Sequence, residues 1–330
     1  MAPRLSCHVD RLKLRSAFRI SRGAKSEAEV VTCELSHNGL RGRGECVPYT
    51  RYGETVDSVI EAIESCARPL EQGMDRDGLQ RYLPAGAARN AVDCALWDLE
   101  AKRHGVPAWQ RAGLATAPQP VTTAYTISLD EAGEMAEAAR GAGLYPLLKL
   151  KLGGGDGGDL ARIEAVRQAA PKTRLIVDAN EGWTLSDLRQ WGDDLARLGV
   201  ELIEQPVPAG QDDTLKGLEC QVPLAADESG HSREELDHLI GRYAVVNIKL
   251  DKTGGLTEAL ALARACQQRG LRIMVGCMVG SSLAMAPAML LTPLADWVDL
   301  DGPLLLAEDR EPGLIFDGAT IHPPEPALWG

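Results

Sequence analysis

Apolar and polar positions follow different patterns in the two parts of the chain. In the first third, alternating positions near Cys7–Leu14 and Val30–Leu35 predict strands, with a glycine-rich turn at His37–Gly44. Apolar residues at helical spacing then predict helices from near Glu54 and through Ala87–His104. After about residue 117, short apolar segments alternate regularly with amphipathic ones. We therefore predict an α+β region followed by strand–helix repeats.

The strand–helix repeats predict a parallel sheet with right-handed crossovers. Eight such strands over about 190 residues suit a closed barrel better than an open sheet. No GxGxxG follows the first strand, which disfavours a dinucleotide-binding fold. Gly153–Gly158 lacks the GK[ST] ending of a phosphate-binding loop, so we interpret it as an ordinary loop. The tail from about Pro312 is expected to pack back onto the first part.

Composition limits the classes of partner. The 330 residues are 45% apolar and 25% charged, with a net charge of −12, which disfavours nucleic acid and anionic membranes. The N-terminus has no apolar segment typical of a signal peptide, and the apolar stretch near Leu283–Leu294 is too short to span a bilayer. The eight cysteines show no CxxC spacing, so we expect reduced thiols in a cytoplasmic protein.

Three successive barrel strands end in a carboxylate, at Asp178, Glu204 and Asp227. Active sites of such barrels lie at the carboxyl ends of the strands. Three converging acids repel one another unless a cation lies between them, and an all-oxygen ligand set suits Mg²⁺. The alternative is three separate helix N-caps, but their common position at neighbouring strand ends favours one magnesium site.

Lysines on two strands flank these acids. Lys149 and Lys151 share one face of the second strand, and the leucines share the other, so the lysines are predicted to point into the barrel. Two adjacent ammonium groups lower each other's pKa, which favours a neutral amine that can act as a base. The alternative is a solvated edge strand. Lys249, on the sixth strand, lies almost opposite and completes a two-base arrangement that inverts a carbon centre. Lys252, beyond the strand, is interpreted as a surface or loop lysine.

The eighth strand offers two further acids. Asp299 and Asp301 share a face by the period of two, and no metal ligand is missing, so they are free to bind a cation such as a substrate ammonium group. The alternative is one inward acid and one helix N-cap. The seventh strand has no histidine, so both predicted bases are lysines.

Taken in order, the motifs resemble the enolase superfamily, muconate-lactonizing subgroup; these motifs are KLK, VDAN, EQP, ADES and NIKLDKTGG. Further stretches narrow the resemblance to the dipeptide epimerases; they are RGECVPYTRYGE, PAGAARNAVDCALWDLEAK and DLDGP. The resemblance covers nearly the whole chain. It implies a modified TIM barrel, (β/α)7β, over residues 118–311. An N-terminal α+β capping domain over residues 1–117, completed by the tail at 312–330, would cover this barrel.

The resemblance also implies roles for individual residues. One Mg²⁺ per subunit would be bound by the three acids, Lys151 and Lys249 would exchange the proton, and Lys149 would stabilise the charge that develops. For substrate binding, the implied residues are Thr126 near the carboxylate, Asp299 and Asp301 at the α-ammonium group, and a cation from a mobile cap loop. That cation is Arg22 or Lys25, and the sequence leaves the choice open.

The reaction so implied is inversion of the α-carbon of the C-terminal residue of L-Ala-D/L-Glu-type dipeptides, in murein peptide breakdown. One alternative on the same scaffold is o-succinylbenzoate synthase or a cycloisomerase, whose substrates lack an ammonium group for Asp299 and Asp301. Another is a catalytically silent binding protein, which would leave the base lysines unexplained. The preferred dipeptide and the oligomeric state stay open, and a homo-oligomer is possible.

Overall fold

A computed structural model describes residues 2–330 of the chain. The strands are β1 (Arg4–Ile20), β2 (Gly23–His37), β3 (Leu40–Cys46), β4 (Val121–Thr122), β5 (Tyr125–Ile127), β6 (Leu147–Lys151), β7 (Arg174–Asp178), β8 (Val200–Glu204), β9 (Leu224–Ala226), β10 (Val245–Ile248), β11 (Arg272–Val275), β12 (Trp297–Val298), β13 (Phe316–Asp317) and β14 (Thr320–Ile321).

The α-helices are α1 (Val56–Ser65), α2 (Ala67–Glu71), α3 (Arg76–Tyr82), α4 (Ala87–His104), α5 (Ala108–Arg111), α6 (Ala132–Gly141), α7 (Asp159–Ala169), α8 (Leu185–Arg197), α9 (Leu236–Leu239), α10 (Leu250–Thr253), α11 (Leu256–Gln268), α12 (Ser282–Ala288) and α13 (Gly302–Leu305). Short 3₁₀ segments lie at Thr50–Tyr52, Asp212–Leu215, Arg233–Glu235 and Met289–Leu294. Within residues 2–330, no helix is both long and apolar enough to cross a membrane.

The first region is an antiparallel sheet, β1-β2-β3, packed on α4. Of the predicted turn at His37–Gly44, the structure has only Asn38–Gly39 as a turn, because β3 already begins at Leu40. Its glycines serve packing instead. A Cβ on Gly42 would lie 2.3 Å from Ala95 O, and one on Gly44 would lie 2.1 Å from Ala91 O. Both glycines therefore allow β3 to approach α4 closely.

The second region is the predicted barrel. Eight parallel strands follow one another in the order β5 to β12, and Ala124 N donates to Val298 O at 2.8 Å between the first and last of them. One buried cluster takes a side chain from each strand or from the residue just before it: Ala124, Leu147, Ile176, Leu202, Ala225, Val245, Met274 and Trp297. Such a cluster forms only when the sheet closes around it. The modified TIM barrel is confirmed.

The tail contacts both regions. Strands β13 and β14 form a small antiparallel sheet with β4, while Trp329 Nε1 donates to Cys94 O of α4 at 3.0 Å. The division into a capping domain of residues 1–117 and a barrel of residues 118–311 stays a prediction. Above the carboxyl ends of the barrel strands lies the tip of the β1–β2 hairpin, which positions residues of the first region over the barrel mouth.

Candidate metal centre and flanking lysines

The three predicted ligand acids converge at the barrel mouth. Asp178 ends β7, Glu204 ends β8 and Asp227 directly follows β9. Asp178 and Glu204 lie opposite each other in the strand register, which puts them at one level of the barrel. One carboxylate oxygen of each acid lies within 4.8 Å of those of the other two, and all three side chains are buried.

The unsatisfied charge at these acids fits a divalent cation. The buried atoms Glu204 Oε2 and Asp227 Oδ1 accept no hydrogen bond in good geometry, although a lysine ammonium lies within 2.7 Å of each. Burial and the neighbouring Asp178 raise the pKa of Glu204 to about 7. Buried acids that repel one another in this way are stabilised by a cation between them, and carboxylate oxygens are the ligands that Mg²⁺ prefers.

Lys149 lies in the middle of the acids. Its ammonium is 2.6 Å from Glu204 Oε2, 2.8 Å from Asp299 Oδ2 and 3.3 Å from Asp178 Oδ2. Burial disfavours its charge, but Asp299 and the other acids outweigh burial and raise the pKa of Lys149. The expectation that neighbouring lysines lower this pKa is therefore wrong. The carboxylates of Asp178, Glu204 and Asp299, which are distant in the sequence, lie within 3.3 Å of this ammonium and determine its pKa.

Lys151 and Lys249 stand on opposite sides of the mouth. Lys151 ends β6 and Lys249 directly follows β10, four strands away in the ring of eight. Each ammonium lies 2.6 Å from a ligand acid, Lys151 from Asp178 and Lys249 from Asp227. Burial disfavours charge on Lys249, but Asp227 outweighs burial and raises its pKa. The two lysines thus border the ligand acids from two sides.

The interpretation of Lys252 as a surface or loop residue is wrong, because it lies buried within α10. Its side chain is fully buried, and Nζ lies 2.7 Å from Asp227 Oδ1. Nζ also donates to the carbonyl oxygens of Gly230 and Asn247, each at 2.9 Å, and to the carbonyl of Asp227. Since α10 begins one residue after Lys249, the chain turns back toward β9 there, and a strand pattern could not show that turn.

Asp299 and Asp301 are buried beside Cys277, a residue that lines the cavity. Asp299 Oδ2 accepts from Lys149, while Asp299 Oδ1 is buried without a hydrogen-bond partner. Asp301 Oδ2 accepts from Thr126 N at 2.7 Å. Burial and Asp299 raise the pKa of Asp301 to about 7. Both acids follow β12, which ends at Val298, so the prediction that they share a strand face is wrong. Asp301 stands at the N-cap position of α13, as the alternative expected, but its side chain makes no cap hydrogen bond and accepts from Thr126 N instead.

A cavity of about 510 Å³ covers the mouth. Its walls include Lys151, Asp227 and Lys249 from the barrel and both Arg22 and Lys25 from the hairpin. The two cap cations differ. Arg22 is paired with carboxylates, whereas Lys25 has no carboxylate of residues 2–330 within ion-pair distance. Burial and the charge of Lys151 lower the pKa of Lys25.

Sequence reasoning missed several cavity residues. Glu228 follows Asp227 in the ADES motif, is buried, and has one unpartnered oxygen, Oε2. Asn180, Tyr52 and Cys277 also line the cavity. The signal for Asn180 and Glu228 was available, because each stands within two residues of a predicted ligand on a strand-end loop.

Two family models match the chain. Residues 5–113 match the mandelate racemase / muconate lactonizing enzyme N-terminal domain, and residues 130–325 match the enolase C-terminal domain-like family. The chain therefore belongs to the enolase superfamily, in its mandelate racemase / muconate lactonizing enzyme branch. This confirms the resemblance seen in the motifs.

Individual relatives narrow the comparison. The chain is 47% identical to an L-Ala-D/L-Glu epimerase of Escherichia coli K12, over 94% of this chain and 96% of that one. It is 46% identical to an N-acetyl-D-glutamate racemase of Pseudoalteromonas sp., over 91% and 95%. A crystal structure from Agrobacterium tumefaciens, described as homologous to dipeptide epimerases and holding sodium and L-Ala-L-Glu, superimposes with a TM-score of 0.97 at 49% identity, covering 99% of this chain and 100% of that chain.

Proposed function

We propose that the chain is a Mg²⁺-dependent dipeptide epimerase that inverts the α-carbon of the C-terminal residue of L-Ala-D/L-Glu-type dipeptides. The observation that carries the proposal is the pair of lysines, Lys151 and Lys249, on opposite sides of three convergent acids. One lysine can remove the α-proton from one face of the substrate, and the other can return a proton to the opposite face. The similarity to an L-Ala-D/L-Glu epimerase supports this reaction.

Asp178, Glu204 and Asp227 would hold the Mg²⁺, one ion per subunit. When bound, Mg²⁺ supplies Lewis-acid polarisation of the substrate carboxylate and acidifies the adjacent α-proton. Lys149 Nζ, held by Glu204 and Asp299, supplies a fixed positive charge where negative charge develops as the proton leaves. Because these groups are buried, their charges act at low effective dielectric.

The remaining groups orient the substrate. Asp299 Oδ1, which has no hydrogen-bond partner, is suited to the α-ammonium group, and Asp301 lies beside it. Thr126 is tied to Asp301 through its backbone N–H, so it would position that acid as well as contact the substrate. Lys25, the cavity cation without a carboxylate partner, would bind the glutamyl side chain. Of the two cap cations, the structure favours Lys25 over Arg22 for this role.

Racemisation of N-acylated glutamate is a second candidate. Asp299 and Asp301 each use one oxygen within the protein, for Lys149 and Thr126 respectively, and neither lines the cavity surface directly. N-acylation removes the ammonium group that these acids would bind, and a relative of comparable identity is an N-acetyl-D-glutamate racemase. Both candidates use the same lysines and the same cavity cation.

One exchange experiment tests the proposal. Purified enzyme with Mg²⁺ in D₂O is offered L-Ala-L-Glu, L-Ala-L-Asp, neutral L-Ala-X dipeptides and N-acetyl-L-glutamate, and α-proton exchange is followed by NMR. We expect exchange and inversion with L-Ala-L-Glu first, and loss of both with EDTA. Turnover of N-acetylglutamate alone would assign the second candidate, and exchange with none of them would refute both.

We also propose that this activity belongs to murein peptide breakdown in the cytoplasm, as the dipeptide class suggests. All eight cysteines are free thiols in the structure, which supports a reducing compartment. The absence of nucleic acid and membrane partners, and the possible homo-oligomer, stay predictions. Light scattering of the purified protein measures the oligomeric state directly.

A further inference from the structure

Arg22, at the tip of the β1–β2 hairpin, bonds to oxygens from three other segments. Its guanidinium donates to Asn180 O at 3.0 Å, to Glu181 Oε2 at 3.2 Å, to Tyr49 Oη at 3.0 Å and to Glu228 Oε1 at 2.7 Å. The side chain is 27% exposed, so these charged hydrogen bonds are only partly screened by solvent. A guanidinium with this many partners is held in one place.

The acceptors of Arg22 adjoin the ligand acids. Asn180 stands two residues after Asp178, and Glu228 stands one residue after Asp227. Ser21 Oγ, next to Arg22, also donates to Asn180 O, at 3.0 Å. The hairpin tip is therefore attached to the ends of two different ligand-bearing strands.

The turn that Arg22 contacts has a disfavoured backbone. Asn180 and Glu181 have φ values of +43° and +69°, a left-handed conformation that residues other than glycine rarely adopt. Such a conformation persists only when surrounding contacts hold it. Glu181 is held by Arg51 and by Ala209 N, each at 2.8 Å, in addition to Arg22. Arg22 thus helps to hold the turn that follows Asp178.

From these contacts we infer that Arg22 is a positioning residue. It fastens the hairpin tip to the strand ends of Asp178 and Asp227, and it thereby places Lys25 over the cavity. This inference deepens the proposed function and rests on it for the role of Lys25. Arg22 is unsuited to bind the substrate side chain itself, because a substrate carboxylate beside Arg22 would meet the carboxylates of Glu181 and Glu228.

Matched glutamine variants separate the two roles. Arg22→Gln removes the attachment, Lys25→Gln removes the unpaired cation, and Arg19→Gln is the control. Arg19 lies on the same strand and bonds to Asp130 at 2.7 Å, but this pair is exposed and Asp130 does not adjoin a ligand acid along the chain. The measurements are hydrogen–deuterium exchange of residues 18–25 and KM with kcat for L-Ala-L-Glu and a neutral L-Ala-X dipeptide.

The variants are expected to differ in which dipeptides they bind less well and in how fast the hairpin tip exchanges. Arg22→Gln should raise KM for both dipeptides by the same factor, about tenfold for the loss of one to two charged hydrogen bonds, and should speed exchange of the hairpin tip similarly. Lys25→Gln should raise KM for the acidic dipeptide only and leave hairpin exchange unchanged. Arg19→Gln should change neither. Glu181→Gln, which keeps an acceptor but removes its charge, should speed exchange in the same direction by less.

Two results overturn the inference. One is selective loss of the acidic dipeptide in Arg22→Gln, which would make Arg22 the side-chain ligand. The other is unchanged exchange of residues 18–25 in that variant, which would show that the attachment does not hold the hairpin. The exchange measurement needs no substrate, so a wild-type enzyme inactive on every dipeptide would refute the proposed function while the test of Arg22 still stands.

Discussion

The two sides of the barrel mouth carry the same groups in different arrangements. On the β6–β7 side, Lys151 pairs with Asp178, and its companion Lys149 points into the acid cluster. On the β9–β10 side, Lys249 pairs with Asp227, but its companion Lys252 lies beneath that acid and donates to backbone carbonyls.

The two companion lysines have opposite electrostatic environments. Burial disfavours charge on both, but four acids outweigh burial at Lys149 and raise its pKa, whereas burial dominates at Lys252 and lowers its pKa. Each side of the mouth thus has one lysine paired with a ligand acid, but the second lysine of each side, Lys149 or Lys252, lies in a different environment. These contacts support the proposed role of Lys149 in the chemistry and predict that Lys252 stabilises the structure of the β9–β10 side.

The largest expected effect tests the two lysines that pair with ligand acids on opposite sides of the mouth. Lys151→Met and Lys249→Met should each lower the rate of epimerisation by about 10²- to 10⁴-fold, because each removes one of two proton carriers. Each variant should still exchange the α-proton of one stereoisomer only, and of opposite stereoisomers in the two cases. NMR in D₂O with separate L,L and L,D dipeptides measures this. Full epimerisation by Lys249→Met would rule out two bases.

The next largest effect tests the structural role of Lys252. Lys252→Met should lower the free energy of unfolding by about 3–5 kcal/mol, since it leaves Asp227 and three buried carbonyls without their ammonium partner. Urea unfolding followed by circular dichroism measures the change, with the exposed Lys172→Met as control. If Lys252→Met unfolds like the control, the structural assignment is wrong.

Mg²⁺ binding should stabilise both sides of the barrel mouth, because the ligand acids come from both. We expect Mg²⁺ at about 100 times its Kd to add about 2.7 kcal/mol to the free energy of unfolding of the wild type, because the ion binds the folded acids only. In Glu204→Gln this stabilisation should be much smaller, since the central ligand has lost its charge. Urea unfolding with Mg²⁺ and with EDTA makes the comparison, and equal stabilisation of both proteins would argue against the assigned site.

The smallest effect concerns Asp301, which stands between β12 and α13 and contacts Thr126 of β5. Asp301→Asn keeps an oxygen to accept from Thr126 N but loses the charge for a substrate ammonium group. We expect about a 10- to 100-fold loss of kcat/KM on dipeptides and little change with N-acetylglutamate. Steady-state kinetics with both substrates decide between the two candidate reactions, and an equal loss on both would show that Asp301 acts through Thr126 alone.

The motifs predicted most of this site because strand periodicity fixes which side chains face inward. Lys149 and Lys151 alternate with leucines, and the three ligand acids each stand at a strand end, so their convergence follows from parallel strands alone. The same pattern failed for the glycines of β3 and for Lys252. In both cases a contact with a distant segment, α4 or the end of β9, determines the conformation.

By itself, the sequence determined the barrel, its ligand acids, the opposed lysines and the family, because each depends on local periodicity and on the order of strands. Only the tertiary structure decided which of Arg22 and Lys25 is paired with carboxylates, and the role proposed for Lys25 rests on that difference. Both stand on one short hairpin, and their roles depend on which carboxylates lie across the mouth: Glu181 and Glu228 neutralise Arg22, while Lys25 is left beside Lys151. Such pairings join residues more than 150 positions apart, which no local pattern encodes.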